Sequence, residues 1–176
     1  MTRKSPHGRL KLLAALTALS LAAACGGSDS DGDGDKKASA PGVTATTVTI
    51  GAHYPLTGPA APGYSEIGPA AEAMFKYIND GGGVNGRTID FKYKDDGYNP
   101  AKTVDVVKQL VLQDKVFAIV NGLGTPTHSK VTDYLNSSRV PDLFVASGAQ
   151  LWNQPKKHPY TFGWQPNYVV EGKILG

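Results

Sequence analysis

KVFAIVNGLGTPT, residues Lys115 to Thr127, is the stretch that decides the fold of this chain. Its first half is a short apolar run rich in β-branched and aromatic residues, which is typical of a strand buried on both faces of a parallel sheet. Its second half is a glycine loop with two threonines, followed by a helix pattern whose inner face is Val131, Tyr134 and Leu135. Ligands of open α/β sheets bind at the carboxyl ends of strands. We therefore expect a binding site at residues 122–127.

Strand and helix patterns alternate on both sides of this stretch. Further strands are predicted at residues 48–54, 89–94 and 143–146. The helix after the first strand has helical spacing that predicts burial of Ile67, Ala71, Met74 and Ile78. It ends in a run of glycines suited to a helix stop and a tight turn.

A second helix begins at a strong start signal. Asn99 is a good N-cap, and Pro100 suits the first helical position. The buried face of this helix is predicted to contain Val104, Val107 and Val111.

The strand order follows from one alternating strand. Residues 89–94 alternate apolar and polar, which favours an edge position. With right-handed crossovers, the order is 2-1-3-4. The fold class is therefore α/β, a three-layer lobe around a parallel sheet, and loops 54–63, 122–127 and 147–152 are expected to meet at one rim.

The first 24 residues form a predicted export signal. Four basic residues precede the apolar run 12–24, which is short for a membrane span and ends in small residues. Removing this segment takes away four of the 18 basic residues and none of the 15 acidic ones, so the net charge falls from +3 to −1. The remaining chain has no basic excess for binding nucleic acid.

Cys25 is the single cysteine, and it stands where the signal would be cleaved. The segment Leu21-Ala22-Ala23-Ala24-Cys25 resembles a bacterial lipobox, although Ala22 stands where leucine is usual. The resemblance implies a lipidated Cys25 and a membrane anchor. The alternative is an ordinary secretory signal with an incidental cysteine.

Residues 25–45 form a predicted disordered tether, because they are rich in Gly, Ser, Asp, Lys and Ala and poor in large apolar residues. Asp29, Asp31, Asp33 and Gly34 match the first half of a calcium loop. Position twelve is Ala40, where a bidentate Glu is needed. We therefore predict a solvated acidic spacer, with no metal site and no cofactor.

The rim carries groups suited to holding a small solute. The backbone N–H groups of Gly124-Thr125 and Gly148-Ala149 suit a carboxylate, and hydroxyls of Thr125, Thr127 and Ser147 add donors or acceptors. Tyr54 or Trp152 is a candidate to cover an apolar part of the solute. The alternative for these residues is turn and helix capping.

Six motifs follow one another along the chain: the lipobox, Pro55-Leu56-Thr57-Gly58, the run 78–86, Asp95-Asp96, Gly122–Thr127, and Val140-Pro141 before residues 144–149. In this order they resemble the leucine/isoleucine/valine-type substrate-binding proteins of ABC importers. The resemblance implies the type I periplasmic-binding-protein fold, with two lobes that close on a solute. Residues 46–163 would form an incomplete N-terminal lobe, and residues 164–176 would start a second lobe that is largely missing.

The resemblance also implies a function and a location. The chain would be a monomeric solute-binding lipoprotein outside the cytoplasm, anchored through Cys25, that passes an amino acid or similar solute to ABC permease subunits. Residues 147–149 and Thr125 correspond to positions where that family holds the ligand's α-carboxylate and amine. The solute itself is left open.

Enzyme motifs are missing from the sequence. It has no Gly-x-Ser-x-Gly elbow and no P-loop, and Gly122-x-Gly124 lacks the third glycine of a dinucleotide fingerprint. The histidines are scattered; His128 is expected at a solvated helix start, and Asp95-Asp96 is expected to cap a turn. Two other functions stay open: an exported α/β enzyme with catalytic residues beyond the chain end, and a ligand sensor of the same fold.

Overall fold

The computed structural model describes residues 40–176. Its centre is a parallel sheet in the order β2-β1-β3-β4-β5. The strands are β1 Thr47–Tyr54, β2 Thr88–Asp95, β3 Ala118–Val120, β4 Asp142–Val145 and β5 Thr161–Gly163. The predicted order 2-1-3-4 is confirmed, with the alternating strand at the edge, and β5 extends the sheet beside β4.

The helices lie in the connections between the strands. They are α1 Ala61–Tyr64, α2 Ile67–Asp80, α3 Pro100–Leu112, α4 Thr125–His128, α5 Thr132–Ser137 and α6 Tyr168–Leu175, with a 3-10 turn at Gln150–Trp152. Asn99 caps α3 as predicted, because its side chain accepts hydrogen bonds from the N–H groups of Ala101 and Lys102. None of these helices, within residues 40–176, has the length and apolar character to cross a membrane.

Two apolar clusters hold the sheet between its helices. On one face, Val107 and Leu110 of α3 pack with Ile119 of β3 and with Val131 and Leu135. On the other face, Ala52, Tyr54 and Leu123 pack with partly buried residues that include Ile67 and Phe91. Helices therefore cover both faces, as predicted for a three-layer lobe.

The buried face of α2 differs from the prediction at Met74, which is 56% exposed. Phe75 lies on the inner side instead, with its ring 5.0 Å from that of Phe91 on β2. Counted from Ile67, the inner face of α2 therefore includes the eighth following residue, Phe75, and not the seventh, Met74, because α2 lies along the edge strand β2.

The end of the predicted tether is ordered in the structure. Residues 40–45 make backbone hydrogen bonds, including Val43 N–H to Ala40 O and Thr49 N–H to Gly42 O. Gly42, with φ +72°, fits closely against the backbone of residues 115–117. The proposed signal, Cys25 and the rest of the tether lie outside the described residues.

Candidate functional site

The three predicted rim loops meet at the carboxyl edge of the sheet. Hydrogen bonds join the loop after β3 to the segment after β4: Gly124 N–H donates to Ala146 O at 3.2 Å, and Ala146 N–H donates to Gly122 O at 2.9 Å. Leu123 N–H donates to the carbonyl of His53 on β1 at 3.4 Å. The backbone of β1, β3 and β4 thus places the start of each loop beside the next.

Thr125 and Ser147 form the polar centre of this rim. Their hydroxyl oxygens lie 2.6 Å apart, and Ser147 Oγ also accepts from Ala149 N–H at 3.2 Å. One hydroxyl of the pair donates to the other, so one hydroxyl hydrogen is left over. The pair can therefore offer a hydrogen bond to an acceptor such as a carboxylate oxygen.

The backbone donors at the rim are only partly available. The N–H groups of Gly124 and Ala149 are occupied by Ala146 O and Ser147 Oγ. Within residues 40–176, the N–H groups of Thr125 and Gly148 have no hydrogen-bond acceptor. These two are the donors suited to an external acceptor.

A cleft of about 200 Å³ opens beside this polar centre. It is lined by the segment Ser147–Ala149, by Trp152 and Asn153, and by residues 163–167 around Asn167. Trp152 is only 4% exposed, and its indole Nε1 has no partner among the described residues. The cleft therefore has the Trp152 side chain as an aromatic wall and lies next to the free donors of the rim, while the indole N–H itself is buried.

Thr127 and Tyr54 lie away from the cleft. The Thr127 hydroxyl is buried and lies 2.5 Å from Leu123 O and 3.1 Å from Gly124 O, so its single hydrogen stabilises the turn. Tyr54 is 1% exposed within its apolar cluster, and burial raises the pKa of its hydroxyl above the ordinary value. Thr127 therefore stabilises its turn and Tyr54 packs in the core, and neither side chain lies on an open surface.

The prediction of a solvated His128 is wrong. His128 is fully buried on α4, where Nε2 lies 2.9 Å from Asp142 Oδ2 and Nδ1 lies 2.9 Å from His53 Nε2. His53 Nδ1 in turn lies 2.7 Å from Asp96 Oδ2. We call these four residues the histidine network. It lies beneath the rim, because the edge of Trp152 contacts His128 with ring centroids 5.2 Å apart.

The acidic pair after β2 divides between two roles. Asp95 caps the turn as predicted, accepting from Gly97 N–H and from Thr57, and those hydrogen bonds outweigh its burial and lower the pKa of its carboxyl. Asp96 also caps the turn, since its Oδ1 accepts from Tyr98 N–H at 2.9 Å, but its carboxylate is fully buried and its Oδ2 belongs to the histidine network. Burial opposes its ionisation, but hydrogen bonds from His53, Tyr98 N–H and Thr103 hold its pKa below the ordinary value.

One signal in the sequence pointed to the histidine network. His53 lies in a strand predicted to be central in a parallel sheet, where both faces are covered. A polar side chain there is buried and needs a partner. Its partners were not predictable from the pattern, since Asp96 and His128 are 43 and 75 residues away along the chain.

Comparison with known proteins identifies related chains. A family model described as "Periplasmic binding protein" matches residues 47–173. A "Leu/Ile/Val-binding protein homolog 3" of Brucella melitensis biotype 1 is 32% identical over 93 residues, covering 53% of this chain and 25% of that protein. The matched stretch thus spans about a quarter of the relative's length.

Solved structures show the same fold. A fatty acid ABC transporter substrate-binding protein from Thermomonospora curvata is 36% identical with a TM-score of 0.52, covering 60% of this chain and 26% of that chain. A branched-chain amino acid transporter substrate-binding protein from Streptococcus pneumoniae, in complex with isoleucine, is 24% identical with a TM-score of 0.61. That match covers 69% of this chain and 34% of the other.

Proposed function

Because this chain belongs to the periplasmic binding protein family, we propose that it captures a small solute outside the cytoplasm for an ABC importer. The solute class we propose is a branched-chain or other amino acid. The names of two relatives support this class: the Brucella protein is named for leucine, isoleucine and valine, and the Streptococcus protein was solved with isoleucine.

The observation that carries the proposal is the meeting of Thr125, Ser147 and Gly148 beside one cleft. A free hydroxyl hydrogen and two unoccupied backbone N–H groups suit a carboxylate without a cationic side chain. Trp152 supplies an apolar wall for the rest of the solute. Gly124 and Ala149 then act by shaping the two loops, since their own N–H groups are occupied.

The proposed mechanism is capture without covalent chemistry. The lobe described by residues 46–163 would supply the carboxylate site, and residues 164–176 would begin a second lobe. Closure of two lobes about a hinge would enclose the solute and present the closed form to permease subunits. Lipidation of Cys25 would hold the protein at the membrane, where acyl chains provide the anchor.

Titration calorimetry of the full-length protein against the standard amino acids tests this function. We expect stoichiometric binding of at least one amino acid with no product formed on long incubation. The appearance of a reaction product would favour the exported enzyme instead. Absence of binding to every amino acid would contradict the proposed solute class.

A fatty acid is the second solute class that belongs in the same titration. It shares the carboxylate, and the relative from Thermomonospora curvata is named for it. If the protein prefers palmitate over all amino acids, the proposed carboxylate site stands and the proposed solute changes from an amino acid to a fatty acid.

A further inference from the structure

The histidine network has a geometry that two neutral imidazoles cannot satisfy. Its four residues form three contacts at hydrogen-bond distance: Asp96 to His53 at 2.7 Å, His53 to His128 at 2.9 Å, and His128 to Asp142 at 2.9 Å. Each contact needs one hydrogen. Two neutral imidazoles bring two hydrogens, and carboxylates bring none.

The missing hydrogen would be missing from the inner contact, which joins His53 to His128. If each imidazole donates to its own carboxylate, His53 Nε2 and His128 Nδ1 face each other with lone pairs only. The two ring planes are within 13° of parallel, and the centroid separation of 5.2 Å together with the nitrogen separation of 2.9 Å puts both nitrogens close to the line between the ring centres. Without a hydrogen between them, this arrangement would be repulsive.

Charge gives a second, independent argument for a third hydrogen. All four side chains are fully buried. With two neutral imidazoles the network would carry two negative charges away from water, whereas one added proton leaves one. Burial of unpaired charge is strongly unfavourable. Asp142 Oδ1 also has no partner in the described residues, which disfavours a fully ionised carboxylate at that end.

The groups around the network are neutral. Asp96 and Asp142 are the titratable groups that face the two imidazoles, from the turn after β2 and from β4. The other contacts come from the Thr103 hydroxyl on α3, the Thr161 hydroxyl on β5, and the Trp152 ring. Asn136 of α5 donates to Thr161 Oγ1, so the Thr161 hydrogen is directed to Asp142.

We propose that His128 is a positioning residue that holds α4 beneath the rim through one extra proton, shared between His128 Nε2 and Asp142 Oδ2. His53 donates through Nδ1 to Asp96, and His128 donates through Nδ1 to His53 Nε2. Burial lowers the pKa of His53 below its ordinary value, which agrees with a neutral His53 that accepts this bond. The contacts of His128 with His53 and Asp142 tie β1, α4 and β4 together at the short helix that begins at Thr125.

Packing at Gly122 shows how closely the loop depends on this arrangement. A Cβ added there would collide with His128 Nδ1 and lie 2.8 Å from His53 Nε2. The glycine loop therefore lies directly against the inner contact. The histidine network supports the rim whether or not a solute binds there, so failure of the proton assignment and failure of the proposed function would be separate results.

The extra proton has a defined thermodynamic signature. Well above the ordinary histidine pKa of about 6.5, both histidines of the unfolded chain are neutral, while the native network holds one extra proton. The equilibrium constant for folding then decreases about tenfold for each unit of rising pH, until the native state also loses the proton. Below about pH 6.5 the unfolded state binds more protons than the native state, so stability is lost as the pH falls.

Asp142→Asn tests the proposal because asparagine supplies the missing hydrogen without titrating. With its NH2 in the place of Oδ2, the amide donates one hydrogen to His128 Nε2, so all three contacts are satisfied by neutral imidazoles. The other amide hydrogen faces Thr161 Oγ1, whose own hydrogen must turn away from residue 142. Urea unfolding of the full chain at a series of pH values should show that stability falls as the pH rises above neutral in wild type and not in Asp142→Asn. Asp133→Asn is the matched control, since Asp133 is exposed and pairs with His158 outside the histidine network, and this variant should retain the wild-type loss.

Nitrogen NMR of the chain with labelled histidine shows directly which imidazole nitrogens carry a proton. At neutral pH we expect His128 Nδ1 to be protonated and His53 Nε2 to be unprotonated. In Asp142→Asn the same pattern should persist, with His128 Nε2 unprotonated. Two unprotonated nitrogens at the inner contact, or the same pH slope in Asp142→Asn as in Asp133→Asn, would overturn the proposal.

Discussion

Ser147 is the residue on which the proposed solute contact depends most directly. Its hydroxyl lies 2.6 Å from Thr125 Oγ1 and accepts from Ala149 N–H, and its side chain lines the cleft. We expect Ser147→Ala to weaken solute binding by about 1–3 kcal/mol, because it removes the hydroxyl pair and releases the Ala149 N–H. Calorimetry with the solute found by the amino-acid titration measures this change.

Ser137→Ala is the control for that change. Ser137 is exposed on α5, and its hydroxyl donates to Tyr134 O at 2.9 Å within the same helix. The Ser137→Ala variant should bind the solute with the affinity of wild type. Unchanged binding by Ser147→Ala as well would mean that Ser147 only stabilises its turn.

The buried residues show where sequence patterns lose information. Burial of His53 follows from its place in a central strand, and the alternation of the strand assigns it to one face. The identity of its partner depends on which loops return to that face, and this is a property of the whole fold. The burial of His128 does not follow from the sequence, because a helix of four residues has no periodicity that distinguishes a buried face from an exposed one.

The turn from β3 into α4 depends on the backbone conformation of Gly124. Gly124 has φ +99°, and an added Cβ would lie 2.5 Å from the Tyr98 ring and 2.6 Å from Thr127 Oγ1. We expect Gly124→Ala to reduce the free energy of unfolding by about 1–3 kcal/mol, because both the backbone conformation and the packing are unfavourable. Urea unfolding measures this loss.

Gly82→Ala separates the two causes. Gly82 has a similar φ of +103° at the end of α2, but a Cβ there would meet no atom within 4 Å. It should show the backbone cost alone and therefore a smaller loss. Equal losses for the two variants would mean that contact with Tyr98 and Thr127 contributes nothing.

At the scale of elements, the order of strands was easier to predict than the faces of helices. The alternation of residues 89–94 places β2 at the edge, and right-handed crossovers then fix the rest. Helical spacing does not decide between Met74 and Phe75 for the inner face of α2, since positions seven and eight residues after Ile67 both lie near that face. Contact with Phe91 selects Phe75, and that contact depends on the angle at which α2 crosses the sheet.

At the scale of the whole molecule, the described chain supplies one side of the proposed site. The matched stretch covers 34% of the Streptococcus structure and 26% of the Thermomonospora structure. The cleft is bordered by the rim on one side and by residues 163–167 on the other. We propose that the carboxylate is held by this lobe, whereas groups that select the solute's side chain lie largely elsewhere in the full-length protein.

The most direct test of the proposed solute site is a crystal structure of the full-length protein with the solute that co-purifies with it. The account predicts a solute carboxylate within hydrogen-bond distance of the Thr125 or Ser147 hydroxyl and of the Gly148 N–H, with Trp152 beside its apolar part. A solute bound without any contact to residues 122–127 or 147–152 would contradict the account.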